Sequence, residues 1–109
     1  MSKVISLEQV PQAYIRTFDP ENALRILLLE DMPSDAALIK LELRKLQIDW
    51  EVVHVTNRQD FEEKFASYKP HFILSDYNIP QYTGMEAVKM VRNLNPYIPF
   101  IICTGRLNE

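Results

Sequence analysis

Apolar residues along the chain occur in short unbroken runs that alternate with segments of helical spacing. Residues 24–29 form an apolar run in which Arg25 is the only polar member, and residues 71–75 and 98–103 form two further runs. Runs of this length, bounded by polar or turn-forming residues, predict buried strands. Residues 50–55 are rich in β-branched and aromatic side chains and predict a fourth strand.

Three segments between these runs have the spacing of amphipathic helices. The first helix is expected from Pro33 to about Leu46, because proline and acidic residues are favoured in a first turn. The second is expected to end before Pro70, and the third to run from about Gly84 to just before Pro96. The predicted inward positions are Ala36, Ile39, Leu43 and Leu46, then Phe61, Phe65 and Tyr68, and finally Met85, Val88, Val91 and Leu94.

The predicted order is therefore β-α-β-α-β-α-β. Strands separated by crossover helices pair in parallel, which predicts an α/β sheet covered on both faces. The functional crevice of such a sheet lies beyond the carboxyl ends of its strands. Glu30, Asp31, Asp76 and Thr104 all follow or end predicted strands. Convergent carboxylates at one edge suggest a divalent cation site, although acidic residues at strand ends are also common as plain loop residues.

Two other kinds of candidate residue are interpreted as structural. Asp35 lies in the first turn of a predicted helix, where a carboxylate is favoured without any ligand. His54 and His71 lie in or beside strands and have no partner at metal-ligand spacing, so both are expected to serve the fold.

Composition limits the class of protein. At 109 residues, with 47% apolar and 25% charged residues, the chain is expected to hold one globular domain at most. A net charge of −3 with dispersed basic residues argues against direct nucleic-acid binding. No apolar stretch approaches the ~20 residues that a membrane helix needs. Cys103 is the only cysteine, which excludes an internal disulfide and favours a cytoplasmic location.

The spacing of the strand-end residues resembles that of a known family. Pro80 and Gly84 stand four and eight residues after Asp76, and a hydroxyl-bearing residue follows the fourth predicted strand. The combined pattern resembles the receiver domain of two-component response regulators, and the resemblance covers residues 24–109. It implies a flavodoxin-like, doubly wound parallel sheet with strand order 2-1-3-4. Residues 1–23 are then an N-terminal extension or linker.

The resemblance also implies a phosphoacceptor site that uses Mg²⁺. Asp76 would accept the phosphoryl group and bind the metal. Asp31 would be a direct ligand, with Glu30 beside it, and Asn78 would contribute its backbone carbonyl. Because a carboxylate that attacks a phosphoryl group approaches another anion, a metal ion is needed to neutralise charge.

The remaining implied residues belong to a switch and to the walls of the site. The hydroxyl of Thr104 would hydrogen-bond the new phosphoryl oxygens, with Gly105 in the loop that moves. The loop from Pro80 to Gly84 would form the opposite wall. The partners implied are a histidine kinase or phosphotransfer protein and an unknown output domain or partner.

The sequence departs from the family at its end. Receiver domains carry a fifth strand that ends in a lysine, with a helix before and after it, and no lysine here occupies an equivalent place. We therefore expect a receiver domain truncated after its fourth strand. Residues 98–103 would then be a bare apolar edge, which predicts a dimer or larger assembly.

Two alternatives to a phosphoacceptor domain remain open. One is a receiver-like module that serves only for protein contacts. The other is a haloacid-dehalogenase-like phosphatase, which needs a second Asp two residues after its nucleophile, where this chain has Asn78.

The role of residues 1–23 is open too. They carry several apolar side chains, while Pro11 and Pro20 interrupt any long helix. They are either a flexible leader from a neighbouring domain, the preferred interpretation, or an arm that covers exposed apolar surface.

Overall fold

The computed structural model describes residues 23–103, which fold around a four-stranded parallel sheet. Along the chain the elements are β1 (Leu24–Leu29), α1 (Pro33–Leu43), β2 (Trp50–Val55), α2 (Arg58–Tyr68), β3 (Phe72–Asp76), β4 (Asn78–Ile79), β5 (Tyr82–Thr83), α3 (Gly84–Leu94) and β6 (Phe100–Cys103). The sheet has the order β2-β1-β3-β6, and β4 and β5 form a separate antiparallel hairpin. The predicted parallel α/β sheet and its strand order are confirmed. Within residues 23–103, no helix has the length and apolar character needed to cross a bilayer.

The central strand β1 explains why the apolar runs are nearly continuous. It pairs in parallel with β2 on one side and with β3 on the other, so both of its edges are hydrogen-bonded. Both of its faces are also covered, because Leu24, Ile26 and Leu28 join one core cluster while Leu27 and Leu29 join another. A strand buried on two faces needs apolar residues at every position rather than at alternate ones.

The two core clusters lie on opposite faces of the sheet. The cluster on the side of α1, which we call the α1 face, consists of Leu24, Ile26, Leu28, Ala36, Ile39, Leu43, Phe72, Leu74, Ile101 and Cys103. The opposite cluster contains residues of both α2 and α3, and of the hairpin, and consists of Leu27, Leu29, Val55, Phe61, Ile73, Ile79, Tyr82, Ala87, Val91 and Ile98. Among the described elements, one helix therefore covers the first face and two cover the second.

The first helix is shorter than the sequence predicts. It ends at Leu43, and residues 44–46 continue in a tighter turn in which each backbone N–H bonds to the carbonyl three residues earlier. Tightening of this kind satisfies carbonyl groups that a helix end leaves open. Leu46 still packs against the α1 face. Its apolar side chain therefore indicates contact with the core and does not show that the helix extends to this residue.

The third helix presents a different stripe to the core from the one predicted. Met85 and Leu94 were expected to face inward but are 47% and 68% exposed. The buried positions are Gly84, Ala87 and Val91. The prediction is confirmed at Val91. It was wrong at Met85 and Leu94, because the predicted stripe began and ended on large side chains, whereas close packing at the start of this helix selects small ones.

The fourth strand of the sheet begins two residues later than predicted. Ladder pairing starts at Phe100. Pro99 has no backbone N–H to donate, so it is disfavoured inside a paired strand, although its carbonyl accepts a hydrogen bond from the N–H of Ile73 at 3.0 Å. Ile98 is buried in the core without belonging to the strand.

His71 joins the start of β3 to the start of β1 through two hydrogen bonds. The backbone N–H of Arg25 donates to His71 Nδ1 at 2.8 Å, and the N–H of His71 donates to the carbonyl of Arg25 at 2.7 Å. The Nδ1 atom can accept a hydrogen bond only when it carries no proton. Burial lowers the pKa of His71, the charge of Arg25 lowers it further, and Glu51 opposes both effects.

We expect the free energy of unfolding to decrease as the pH falls below about 6.5, the ordinary value for this imidazole. Because the pKa of His71 is lower in the folded chain, the unfolded chain takes up the proton first, and stability is lost between these two pKa values. The full contribution is present above the unfolded pKa. Asn at this position can accept the same N–H but does not titrate, so His71→Asn should make the free energy of unfolding vary less with pH. Urea unfolding at several pH values below and above 6.5 measures this free energy for both chains. Equal variation with pH in the two chains would contradict the role of His71.

Candidate functional site

Three carboxylates meet at the carboxyl edge of the sheet. Glu30 and Asp31 follow β1, and Asp76 is the last residue of the neighbouring strand β3. One oxygen atom from each of the three side chains lies within 4.8 Å of the others. The structure therefore brings together the three acidic residues that the sequence placed at one edge.

Glu30 is the buried member of this cluster, with no exposed surface. Its Oε2 atom accepts a hydrogen bond from the backbone N–H of Met32 at 3.1 Å. Its carbonyl oxygen accepts one from His54 Nε2 at 2.6 Å, and its N–H donates to the carbonyl of Val55 at 3.0 Å. Contacts from β2 and from the start of α1 thus fix the Glu30 carboxylate below the surface.

Asp31 and Asp76 are half-buried and line the solvent side of the cluster. Asp31 lies in the short bend between β1 and α1. The Asp76 backbone is held from two directions, since its carbonyl accepts a hydrogen bond from Ser75 Oγ at 2.8 Å and the residue pairs in register with Cys103 of β6. The Asp76 carboxylate is thus rigidly supported yet reachable from solvent.

Carboxylates that lie within 4.8 Å of one another repel when they are ionised, and a cation bound among them would offset that repulsion. Carboxylate oxygens are the ligands of hard divalent cations, and Mg²⁺ is typically held by one or two carboxylates together with water and phosphate oxygens. The donor set of Glu30, Asp31 and Asp76 fits such an ion.

A hairpin forms the wall beside Asp76, where the sequence predicts a plain loop. Its strands β4 and β5 are joined by Pro80 and Gln81, and Gln81 has a φ of 63°. Proline followed by a residue with positive φ is the combination of a type II turn. The residue with positive φ is glutamine here rather than glycine, so the sequence does not predict this turn. Buried Ile79 and Tyr82 anchor the hairpin to the core.

Tyr82 also connects the hairpin to α2. Its ring packs against Phe61 with the centroids 6.0 Å apart, and the Arg58 guanidinium lies 5.3 Å from its centroid. The hydroxyl donates to Glu62 Oε2 at 3.5 Å. Burial and then the charge of Glu62 raise the pKa of Tyr82 to about 12, so the phenol stays protonated and keeps this contact near neutral pH.

Gly84 allows α3 to begin directly against the residue that follows Asp76. Its N–H donates to the carbonyl of Tyr77 at 2.7 Å. A Cβ at this position would lie 3.2 Å from Tyr77 Cα and 3.4 Å from the carbonyl oxygen of Asp76. The helix start is fixed by a capping box, in which Thr83 Oγ1 accepts from the N–H of Glu86 while Glu86 Oε2 accepts from the N–H of Thr83. A larger residue than glycine would press on the backbone that carries Asp76.

The other predicted site residues lie in the hairpin or outside the described range. Asn78 opens β4 opposite Thr83 with its side chain exposed, so the use of its carbonyl as a metal ligand stays a prediction. Pro80 lies at the exposed tip of the hairpin. Thr104 and Gly105 lie outside residues 23–103. Thr104 directly follows Cys103, the partner of Asp76 in the ladder.

Three exposed apolar residues directly follow predicted site residues along the chain. Met32 follows Asp31, Tyr77 follows Asp76 and Met85 follows Gly84, and these three side chains are 51%, 44% and 47% exposed. We call them the apolar rim. The periodicity of the sequence does not predict that these three side chains are exposed.

Comparisons with known proteins agree on one family. The family model of the response regulator receiver domain matches residues 26–109. The transcriptional regulatory protein TrcR of Mycobacterium tuberculosis is 30% identical over 100 residues, which are 92% of this chain and 37% of that protein. The chemotaxis protein CheY of Thermotoga maritima is 26% identical over 84 residues, which cover 74% of this chain and 67% of that protein. This chain thus spans little more than a third of TrcR and two thirds of CheY.

A solved structure shows the same fold. The crystal structure of a two component transcriptional regulator AraC from Clostridium phytofermentans superposes with a TM-score of 0.63 at 21% identity. The superposition covers 80% of this chain and 71% of that one.

Proposed function

The chain belongs to the response regulator receiver domain family, and we propose that Asp76 accepts a phosphoryl group in a two-component phosphorelay. The observation that supports this most directly is the cluster of Glu30, Asp31 and Asp76 within 4.8 Å. Asp76 is only half-buried and ends a strand held on both sides, by β1 and by β6, so it can meet a donor without moving.

In the proposed reaction, a carboxylate oxygen of Asp76 attacks the phosphorus atom of the donor. A new bond forms between that oxygen and phosphorus, while the bond from phosphorus to the leaving atom of the donor breaks and its electron pair leaves with that atom. In a phosphohistidine donor the leaving atom is a ring nitrogen. The product is an aspartyl phosphate.

The proposed cofactor is Mg²⁺, and Glu30, Asp31 and Asp76, together with the Asn78 carbonyl, would hold it. Bound there, the ion would neutralise the charge that spreads over the phosphoryl oxygens. Glu30 is positioned by Met32 and His54 and supplies negative charge from below the surface. The hydroxyl of Thr104 would hydrogen-bond the phosphoryl oxygens once they are bound, and the loop at Gly105 would move with it.

The partners in this proposal follow from the family and from the apolar rim. A histidine kinase or phosphotransfer protein would present the phosphohistidine to Asp76. Met32, Tyr77 and Met85 are exposed apolar residues that directly follow site residues along the chain, and exposed apolar side chains of this kind suit a surface that a protein partner touches. The phosphorylation state would then be passed to an output domain or partner.

Incubation of the chain with acetyl phosphate and Mg²⁺ should add the mass of one phosphoryl group. Asp76→Asn should abolish the adduct, because the amide oxygen is a far weaker nucleophile than a carboxylate. Asp49→Asn removes an exposed carboxylate outside the cluster and should leave the adduct unchanged. Intact-mass spectrometry checks each chain with Mg²⁺ and with a chelator.

Other outcomes would support the alternatives. Absence of both the adduct and Mg²⁺ binding would favour a receiver-like module that serves only for protein contacts. Sustained turnover of phosphate esters would favour the phosphatase, against which Asn78 already stands in the place of that family's general acid.

Assembly through the edge of β6 stays a prediction as well. Within the described sheet β6 has a neighbour on one side only, and Phe100 and Ile102 are half-buried. An edge of this kind can pair with a second chain. Light scattering should show a mass that increases with concentration, and a monomer at all concentrations would contradict the proposed assembly.

A further inference from the structure

The peptide group between Glu30 and Asp31 lies just beyond the ladder that pairs β1 with β2. β1 ends at Leu29 and β2 ends at Val55, and the N–H of Glu30 donates to the carbonyl of Val55 at 3.0 Å. The carbonyl of Glu30 accepts from a side chain instead, the Nε2 atom of His54, at 2.6 Å. Because His54 lies in β2, its ring continues the contact between the two strands past the end of the ladder.

This hydrogen bond acts on Asp31 as well as on Glu30. The Glu30 carbonyl belongs to the peptide unit that joins the two residues, and the six atoms from Glu30 Cα to Asp31 Cα lie in one plane. The N–H and the carbonyl of Glu30 are both held by β2, which restrains the orientation of that plane. The position of Asp31 Cα is therefore set from β2.

The backbone that follows Asp31 is held as well. The N–H of Met32 donates to Glu30 Oε2 at 3.1 Å, and the carbonyl of Met32 accepts from the N–H of Ala36 at 3.0 Å. Asp31 thus lies between two peptide units whose orientations are restrained. A restrained ligand residue loses less conformational entropy when it binds an ion.

We infer that His54 is a positioning residue for Asp31 in the proposed Mg²⁺ site, and the inference rests on that proposed function. The ring acts through the peptide unit and not as a ligand. It keeps the Asp31 backbone where one carboxylate oxygen lies within 4.8 Å of oxygens of Glu30 and Asp76. The sequence predicts only a structural role for this histidine. Groups that orient a metal ligand typically contribute a factor of 10 to 100 to affinity.

His54→Leu is expected to weaken Mg²⁺ binding by the full chain about tenfold, because it removes the donor to the Glu30 carbonyl. His54→Gln should restore most of the affinity, since the amide nitrogen of glutamine is as many bonds from Cβ as Nε2 of histidine and can also donate. Tyr68→Phe is the matched control. It removes a hydroxyl that donates to the carbonyl of Glu51 in β2 at 3.4 Å, and it should leave the affinity unchanged. Calorimetric titration measures all four chains.

The outcomes separate this inference from the proposed site. Equal affinity in His54→Leu and the unaltered chain, with circular dichroism showing both folded, overturns the inference and leaves the site intact. A loss in His54→Gln or in Tyr68→Phe as large as that in His54→Leu also overturns it, because the donor to Glu30 would then not be the cause. Absence of Mg²⁺ binding in the unaltered chain would overturn the site and the inference together.

A measurement without metal decides the matter if His54→Leu does not fold. The Glu30 carbonyl can only accept, so Nε2 of His54 must carry a proton in this contact. Nitrogen-15 spectra of the unaltered chain should therefore show a protonated Nε2 whose proton exchanges slowly with water. An unprotonated Nε2, or a proton that exchanges as fast as in an unstructured peptide, overturns the inference.

Discussion

Asp31→Asn is expected to weaken Mg²⁺ binding by about a hundredfold or more. Groups that merely orient a metal ligand typically contribute a factor of 10 to 100 to affinity, so a direct ligand should reach at least the upper end of that range. Asp31 is one of three carboxylates within 4.8 Å, and the amide removes one of the three negative charges that the ion would balance. Calorimetric titration of the full chain with Mg²⁺ measures the change.

Asp35→Asn is the matched control for this prediction. Asp35 also lies near the start of α1 and its substitution changes the net charge equally, but its carboxylate is outside the cluster. We expect its Mg²⁺ affinity to stay close to that of the unaltered chain. Equal losses in the two variants would show that the ion responds to overall charge and not to a site at Asp31.

Leu74→Ala is expected to lower the free energy of unfolding strongly, because it removes part of the core. Leu74 has no exposed surface and lies on β3 between β1 and β6. Truncating a buried leucine costs about 2–5 kcal/mol, because the transfer free energy of the lost methyl groups is forfeited and a cavity remains. That is a large share of the roughly 5–15 kcal/mol of a typical domain. Urea unfolding of both chains gives the difference.

Leu94→Ala tests whether burial causes this loss. It deletes the same atoms from a side chain that is 68% exposed at the end of α3. Exposed substitutions of this kind usually change stability by no more than about 0.5 kcal/mol. A loss as large as that of Leu74→Ala would mean that Leu94 packs against something in solution, and the assignment of the core would then be wrong.

The sheet was predictable because its strands are buried on both faces. Continuous apolar runs with helical segments between them leave few alternatives to parallel pairing, and parallel pairing in turn brings the acids at the ends of β1 and β3 to one edge. The convergence of Glu30, Asp31 and Asp76 follows from strand register and needs no knowledge of side-chain packing.

Features that depend on close packing were not predictable in this way. The inward stripe of α3 uses Gly84 and Ala87 because the helix begins against Tyr77, and hydrophobic periodicity gives small residues little weight. The hairpin requires a positive φ at Gln81, and glutamine is not a residue type that predicts a turn with positive φ. The depth of Glu30 depends on contacts from Met32 and from His54, which is 24 residues distant in the chain. Each of these features is set by a neighbour that periodicity does not identify.

We propose that Asp76, and no other residue, carries the phosphoryl group. Borohydride reduces an aspartyl phosphate to homoserine, so peptide mass mapping after reduction identifies the residue that was phosphorylated. After treatment with acetyl phosphate and Mg²⁺, we expect homoserine at position 76 alone, and none when a chelator replaces the metal. Homoserine at Asp31 or at any other aspartate, or at no position in a chain treated with Mg²⁺, would contradict phosphorylation of Asp76.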